Sequence, residues 1–179
     1  SFGITAVAER VGVDSDGDGT ADLSINPSFN YSTAGQEDQW FALNQDGFDL
    51  KAGWSNQDSD GSEQTFALLT PVLLNANGSD SAIGSQFRYT DGTGSHTLTY
   101  NGTPVRIPIA ALDTVEFIAS NNVSGSFEIQ VQALTIDTDP NGGAPVEATS
   151  GSATLTNLVI APVADPITLA VSSPGVGNE

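Results

Sequence analysis

The stretch that constrains the fold most is Phe127-Glu128-Ile129-Gln130-Val131-Gln132-Ala133-Leu134, in which apolar and polar residues alternate. Successive side chains of a β-strand point to opposite faces, so this alternation predicts a strand with one buried face. Residues 152–160 show the same period with a more apolar end. No segment keeps the helical period of about 3.6 residues, so the sequence predicts little helix.

Working outward, shorter strands are predicted at regular intervals between Gly, Asn, Asp and Pro residues. They cover residues 3–13, 23–31, 65–69 and 84–89, followed by a hairpin of 96–100 with 105–107 around Asn101-Gly102. Residues 110–118 are the best place for a short helix or 3₁₀ turn. Many short strands without long crossover helices indicate an all-β, antiparallel sandwich.

The chain of 179 residues is interpreted as one module over 1–166. Within it, 1–35 forms an added N-terminal segment with extra strands, and 36–166 forms the core, which carries an expanded middle insertion. Pro162 and Pro166 mark a stiff joint, since proline cannot donate to a central sheet ladder. Residues 167–179 are therefore predicted to begin a linker or a further domain.

Charge excludes several functions. Against 22 Asp and Glu there are only 4 Lys and Arg, which gives a net charge of −18. Such a field repels phosphate backbones and anionic membranes, and no stretch approaches the ~18 apolar residues of a membrane span. The chain has no cysteine, so disulfides and thiolate sites are excluded, and bound cations become the natural source of stability.

The first candidate metal site is an acidic loop of nine residues, Asp14-Ser15-Asp16-Gly17-Asp18-Gly19-Thr20-Ala21-Asp22. Its carboxylates at Asp14, Asp16, Asp18 and Asp22, with the carbonyl of Thr20, follow most of the spacing of calcium loops. A glutamate is missing at the twelfth position, so a more distant carboxylate would have to complete the shell. The alternative is a solvated acidic turn.

A second candidate combines acidic residues that lie near several predicted strand ends. Loops that are distant in sequence meet at one end of a sandwich, which predicts a shared calcium site. Its proposed ligands are Glu37, Asp58, Asp60, Glu63, Asp137 and Asp139. The alternative is that each acidic pair caps its own turn. The expected cofactor is calcium, as several ions.

A polar, glycine-rich loop is the candidate ligand site. An arginine, an aromatic ring and several hydroxyl groups suit recognition of carboxylates or hydroxyls; the residues are Arg88, Tyr89, Asp91, Thr93, Ser95 and His96. The alternatives are an ordinary hairpin turn, and arginines (Arg88 and Arg106) that only pair with neighbouring carboxylates. Trp40 and Trp54 could stack on a ligand, but semi-buried packing is the commoner use.

An enzyme is not expected. His96 is the only histidine, and no nucleophile elbow surrounds Ser95. The carboxylates cluster in glycine-rich turns that hold them ionised, whereas a general acid needs an apolar environment.

Four short motifs occur in order along the chain: Gln36-Glu37-Asp38-Gln39-Trp40-Phe41-Ala42-Leu43, Asp58-Ser59-Asp60-Gly61-Ser62-Glu63, Asn122-Val123-Ser124-Gly125-Ser126-Phe127-Glu128-Ile129, and residues 149–165. Together they resemble the immunoglobulin-like repeats of giant RTX adhesins, over about residues 36–166. The resemblance implies a calcium-rigidified, immunoglobulin- or cadherin-like sandwich in a long stalk. Such a stalk leaves a Gram-negative bacterium by type I secretion and acts at the cell surface in adhesion and biofilms.

The chain departs from a plain stalk repeat in its added residues 1–35 and its expanded stretch 58–126. These favour a monomeric ligand-binding module that recognises an extracellular peptide or protein terminus on host or neighbouring cells, and that adjoins other domains of the same polypeptide. A glycan-binding domain and a purely structural extender remain the alternatives.

Overall fold

The computed structural model describes residues 8, 23–25, 28–52, 54–56, 63–76, 78, 80–138 and 143–164. In this part the protein is all-β apart from one 3₁₀ helix at Ile109–Thr114, which confirms the predicted short turn of helix. The twelve strands, in chain order, are β1 (Leu23–Ile25), β2 (Phe29–Asn30), β3 (Gly35–Gln36), β4 (Phe41–Ala42), β5 (Trp54–Asn56), β6 (Glu63–Leu73), β7 (Gln86–Asp91), β8 (Gly94–Thr99), β9 (Val105–Pro108), β10 (Glu116–Ile118), β11 (Gly125–Asp137) and β12 (Val146–Ala161).

Two sheets form the body of the fold. One has the order β4-β10-β7-β8, and the other has the order β2-β12-β11-β6-β9, with β3 also pairing β12. A separate two-stranded sheet joins β1 to β5. Most pairs are antiparallel, but β2 and β3 run parallel to β12. The stretch predicted as one strand over 23–31 is therefore two short strands in different sheets.

The core lies between the two sheets. Phe87 and Phe117 of the smaller sheet have ring centroids 5.3 Å apart, and Phe117 lies 5.4 Å from Phe127 of the larger sheet. All three side chains are fully buried. Burial of each such side chain contributes roughly 1.5–3 kcal/mol, so the alternation seen in β11 is what fixes one face of the larger sheet against the core.

The hairpin predicted across Asn101-Gly102 is wrong. β8 pairs β7, and β9 pairs β6 in the other sheet, so residues 100–104 carry the chain from one sheet to the other. The hairpin that does form joins β7 to β8 through Gly92 and Thr93. The Asn-Gly signal marks a turn but does not specify which strands pair, and here the strand that follows the turn joins β6 in the other sheet.

Candidate metal and ligand sites

The inner face of the larger sheet changes from apolar to polar at one end. The register pairs Ala67 with Ala133, then Thr65 with Thr135, then Glu63 with Asp137. Thr135 is fully buried, and Asp137 is only 5% exposed. Two carboxylates thus stand directly opposite each other at the end of the β6–β11 ladder, where like charges destabilise a cross-strand pair.

Strand connectivity relates this end to the acidic stretches of the sequence. Glu63 directly follows the stretch that contains Asp58 and Asp60, and Asp137 precedes Asp139 by two residues. β1 and β5 pair Leu23 with Asn56. Residues 14–22 immediately precede Leu23, and residues 57–62 immediately follow Asn56. Both acidic stretches therefore join the β1–β5 sheet at the same end.

Most of the predicted metal ligands lie outside the described residues: Asp14, Asp16, Asp18, Thr20, Asp22, Asp58, Asp60 and Asp139. Within the described part of the chain, no three acidic or histidine side chains are grouped so as to hold a metal ion. Glu63 and Asp137 are the two predicted ligands that the described structure brings together.

Glu37 is a correction to the predicted shared site. Its carboxylate is buried and accepts a 2.6 Å hydrogen bond from the Val163 N–H, and its own N–H donates to the Ala161 carbonyl at 2.9 Å. Residue 161 lies beside the Gly125 end of β11, twelve residue steps from Asp137. At the rise of a strand this separation is about 40 Å. Glu37 therefore anchors the end of β12 and does not meet Asp137.

The predicted ligand loop forms a tight β7–β8 turn around the Asp91 carboxylate. Asp91 Oδ1 accepts bonds from the Thr93 N–H and the Thr93 hydroxyl, each at 2.7 Å. His96 Nε2 lies 3.1 Å from the same oxygen and 3.0 Å from Thr93 Oγ1. These bonds, first those from Thr93, lower the pKa of Asp91 to about 2. The carboxylate is thus held ionised by donors of its own turn.

The six predicted ligand residues divide between the two faces of the smaller sheet. Tyr89 is 9% exposed, burial raises its pKa, and its ring stacks on His96 with centroids 4.8 Å apart. The side chains of Arg88 and Ser95 belong to the alternate positions of the same strands, on the outer face. The structure therefore does not gather all six around one pocket.

Arg88 has partners of its own. Its guanidinium forms an ion pair with Glu116 on the neighbouring strand β10 and lies over the Trp40 ring, 4.4 Å from the centroid. The bond to Glu116 raises the pKa of Arg88. Sequence reasoning weighed such a pairing but missed Glu116, because strand order and not sequence spacing places it there.

Arg106 also has an acidic neighbour. It lies on β9 with its guanidinium 3.6 Å from Glu147 and 5.3 Å from the Phe66 ring centroid. Trp54 is half-buried against the core. Both arginines and Trp54 thus take the commoner role that the sequence left open for them.

Comparison of the chain with protein-family models, with curated proteins and with solved structures finds no match. In the described part of the chain, no helix has the length and apolar character that crossing a membrane would need. The resemblance to RTX adhesin repeats therefore stays an expectation from four sequence motifs.

Proposed function

We propose that this chain is a non-catalytic, calcium-dependent binding module of an extracellular bacterial adhesin, with an immunoglobulin- or cadherin-like sandwich. The observation that carries the proposal is the register that sets Glu63 opposite Asp137 at the polar end of the inner face. Like charges that stand directly opposite each other on neighbouring strands repel and destabilise the pair. A hard cation that takes oxygen ligands would sit between the two carboxylates and relieve that repulsion.

The donor set fits calcium rather than a softer metal. All the candidate ligands are oxygens, and the chain has no cysteine and one histidine, which removes the usual ligands of zinc. Glu63 and Asp137 would hold an ion together with Asp58, Asp60 and Asp139, and the loop 14–22 would hold another. Bound calcium supplies positive charge and rigidity at the strand ends of a chain whose net charge is −18.

The ligand that we propose is an extracellular peptide or protein terminus. A structural extender is the second candidate, and a specific observation favours it: Arg88 and Asp91 already bond within the chain. A glycan is less favoured, because the guanidinium of Arg88 covers one face of Trp40, the ring on which a sugar would stack.

Calcium removal tests the metal part of the proposal. Calorimetric melting of the chain in millimolar calcium and in EDTA should show a much higher melting temperature with calcium, because a ligand at 100 times its Kd stabilises by about 2.7 kcal/mol per site. The substitution Asp137→Asn should reduce that difference. The matched control Glu37→Gln removes a buried carboxylate at the opposite sheet end and should leave the calcium response unchanged. Equal melting temperatures in calcium and EDTA would refute the proposal.

A further inference from the structure

Strand β8 ends the smaller sheet, and none of the described strands pairs with its outer side. It is last in the order β4-β10-β7-β8, and its register with β7 is uninterrupted from Gly94 to Thr99. At one end of the ladder the Tyr100 N–H donates to the Ser85 carbonyl at 2.8 Å, so the backbone of Tyr100 bonds toward β7. Bonded and non-bonded pairs alternate along an antiparallel ladder. The N–H and C=O groups of Ser95, Thr97 and Thr99 therefore point away from β7.

Within the described residues, this edge lacks several of the devices that usually prevent strand addition. Proteins protect edges with lysine, proline, bulges or very short strands. β8 reads Gly-Ser-His-Thr-Leu-Thr over six residues and contains neither lysine nor proline. Ser95, Thr97 and Thr99 are exposed. No described strand bonds to their outward backbone groups, so another extended chain could do so.

The edge is also held in one conformation before anything binds. The bonds to Asp91 Oδ1 fix the β7–β8 turn, and the stacked rings of Tyr89 and His96 fix the middle of the strand pair. A strand that is ordered in advance loses little conformational entropy when it accepts a partner.

An open groove runs beside β8, toward the edge of the other sheet. It has a volume of about 310 Å³ and is lined by residues that include Leu98, Pro104, Val105 and Arg106. Its described lining residues include no carboxylate. Alternate side chains of a strand added to β8 would point toward this groove, where apolar side chains would contact Leu98 and Val105.

We propose that β8 binds an extended segment of a partner polypeptide as an added strand of the smaller sheet, with alternate apolar side chains and no carboxylates. Main-chain bonds to Ser95, Thr97 and Thr99 would give affinity, and the groove would select the apolar side chains. The net charge of −18 repels acidic segments and a second copy of this chain, attracts basic segments and does not oppose neutral ones. The inference rests on the proposed function insofar as it names where a polypeptide ligand binds.

The probe for this proposal is a fluorescent, capped peptide of about seven residues in which valine and threonine alternate, long enough to cover β8. Binding to the calcium-loaded chain is measured by fluorescence anisotropy, and the amide exchange of residues 95, 97 and 99 is followed by NMR. We expect saturable binding with slowed exchange at these three amides. The same peptide with methylated donor nitrogens, or with aspartate at the threonine positions, should bind at least about tenfold more weakly.

Two substitutions at one position separate backbone from side chain. Thr97→Pro removes the outward N–H without removing a bond to β7, and it should weaken binding at least about tenfold. Thr97→Val keeps the backbone and the β-branched shape, and it should change binding less than about threefold. A melting curve of Thr97→Pro close to that of the parent chain shows that any loss is local.

Several outcomes would overturn the inference: no binding at millimolar peptide, equal binding of the methylated peptide, or unchanged exchange at the three amides. Concentration-dependent dimerisation abolished by Thr97→Pro would instead make a second copy the occupant, which also contradicts it. Failure of the proposed function can be told apart from failure of this inference. In that case EDTA would leave the melting temperature unchanged, while the peptide would still bind at β8.

Discussion

The β6–β11 strand end and the β7–β8 turn both place aspartate at the end of a strand, but they treat the charge differently. Asp91 accepts bonds from the backbone and side chain of Thr93, two residues away, so its own turn stabilises the ionised form. Asp137 is buried and stands opposite a second acid, Glu63. The donors of its turn compensate the charge of Asp91, whereas two carboxylates opposed across a ladder repel each other, and a cation between them would relieve that repulsion.

The largest expected effect comes from a substitution in the core between the two sheets. Phe127→Ala removes a fully buried ring that contacts Phe117 of the facing sheet, and it should lower the free energy of unfolding by about 3–5 kcal/mol. Because the ring is distant from both aspartates, the loss should be the same with calcium and with EDTA. Denaturant unfolding under the two conditions measures it. A loss that depends on calcium would mean that the core and the strand end are coupled.

The next prediction concerns a substitution that places a positive charge opposite Asp137. Glu63→Lys sets an ammonium group opposite Asp137 in the register and replaces like charges with opposite ones. In EDTA this should raise the free energy of unfolding by about 1 kcal/mol, and the stabilisation by added calcium should fall. Glu63→Gln is the matched control, since it removes repulsion without adding a cation. If calcium stabilises Glu63→Lys as strongly as the parent chain, Glu63 is not a ligand.

Asp91→Asn is the corresponding change at the turn, with a smaller effect. The turn loses an ionised acceptor, so the melting temperature should fall slightly and by the same amount with calcium or EDTA. Differential scanning calorimetry of the two proteins measures the difference. A loss confined to the calcium-loaded state would place Asp91 with the metal ligands and remove the contrast between the two regions.

The smallest effect concerns pH and isolates the charge of Asp91. Its folded pKa is lowered from 3.8 to about 2, so the ionised form stabilises the fold above pH 3.8. That stability is lost as the pH falls from 3.8 through about 2. The melting temperatures of the parent chain and Asp91→Asn should therefore differ at neutral pH and converge over this window. If the difference in melting temperature stayed constant down to a pH of about 2, the contribution of these hydrogen bonds would not depend on the charge of Asp91.

Prediction from sequence succeeded where the cause was local. The alternation of residues 127–134 predicted a strand, and these residues lie within β11. The 3₁₀ helix, Ile109–Thr114, overlaps the predicted range 110–118, whose last three residues form β10 instead. It failed where strand partners are set by the tertiary structure. The hairpin across Asn101-Gly102 was wrong because β9 pairs β6 in the other sheet. The threonine layer of Thr65 and Thr135 was missed, although both residues lie on the inward positions of their strands.

The sequence by itself determined that this protein is built from strands, that it is strongly acidic and that its acids cluster beside glycines, since these properties depend on period and composition. Tertiary structure alone decided which charges meet. It set Glu63 opposite Asp137, moved Glu37 to the other end of the sheet, paired Arg88 with Glu116 and left β8 at an edge. The physical reason is that strand order and register join residues far apart in sequence, and no local pattern encodes that choice.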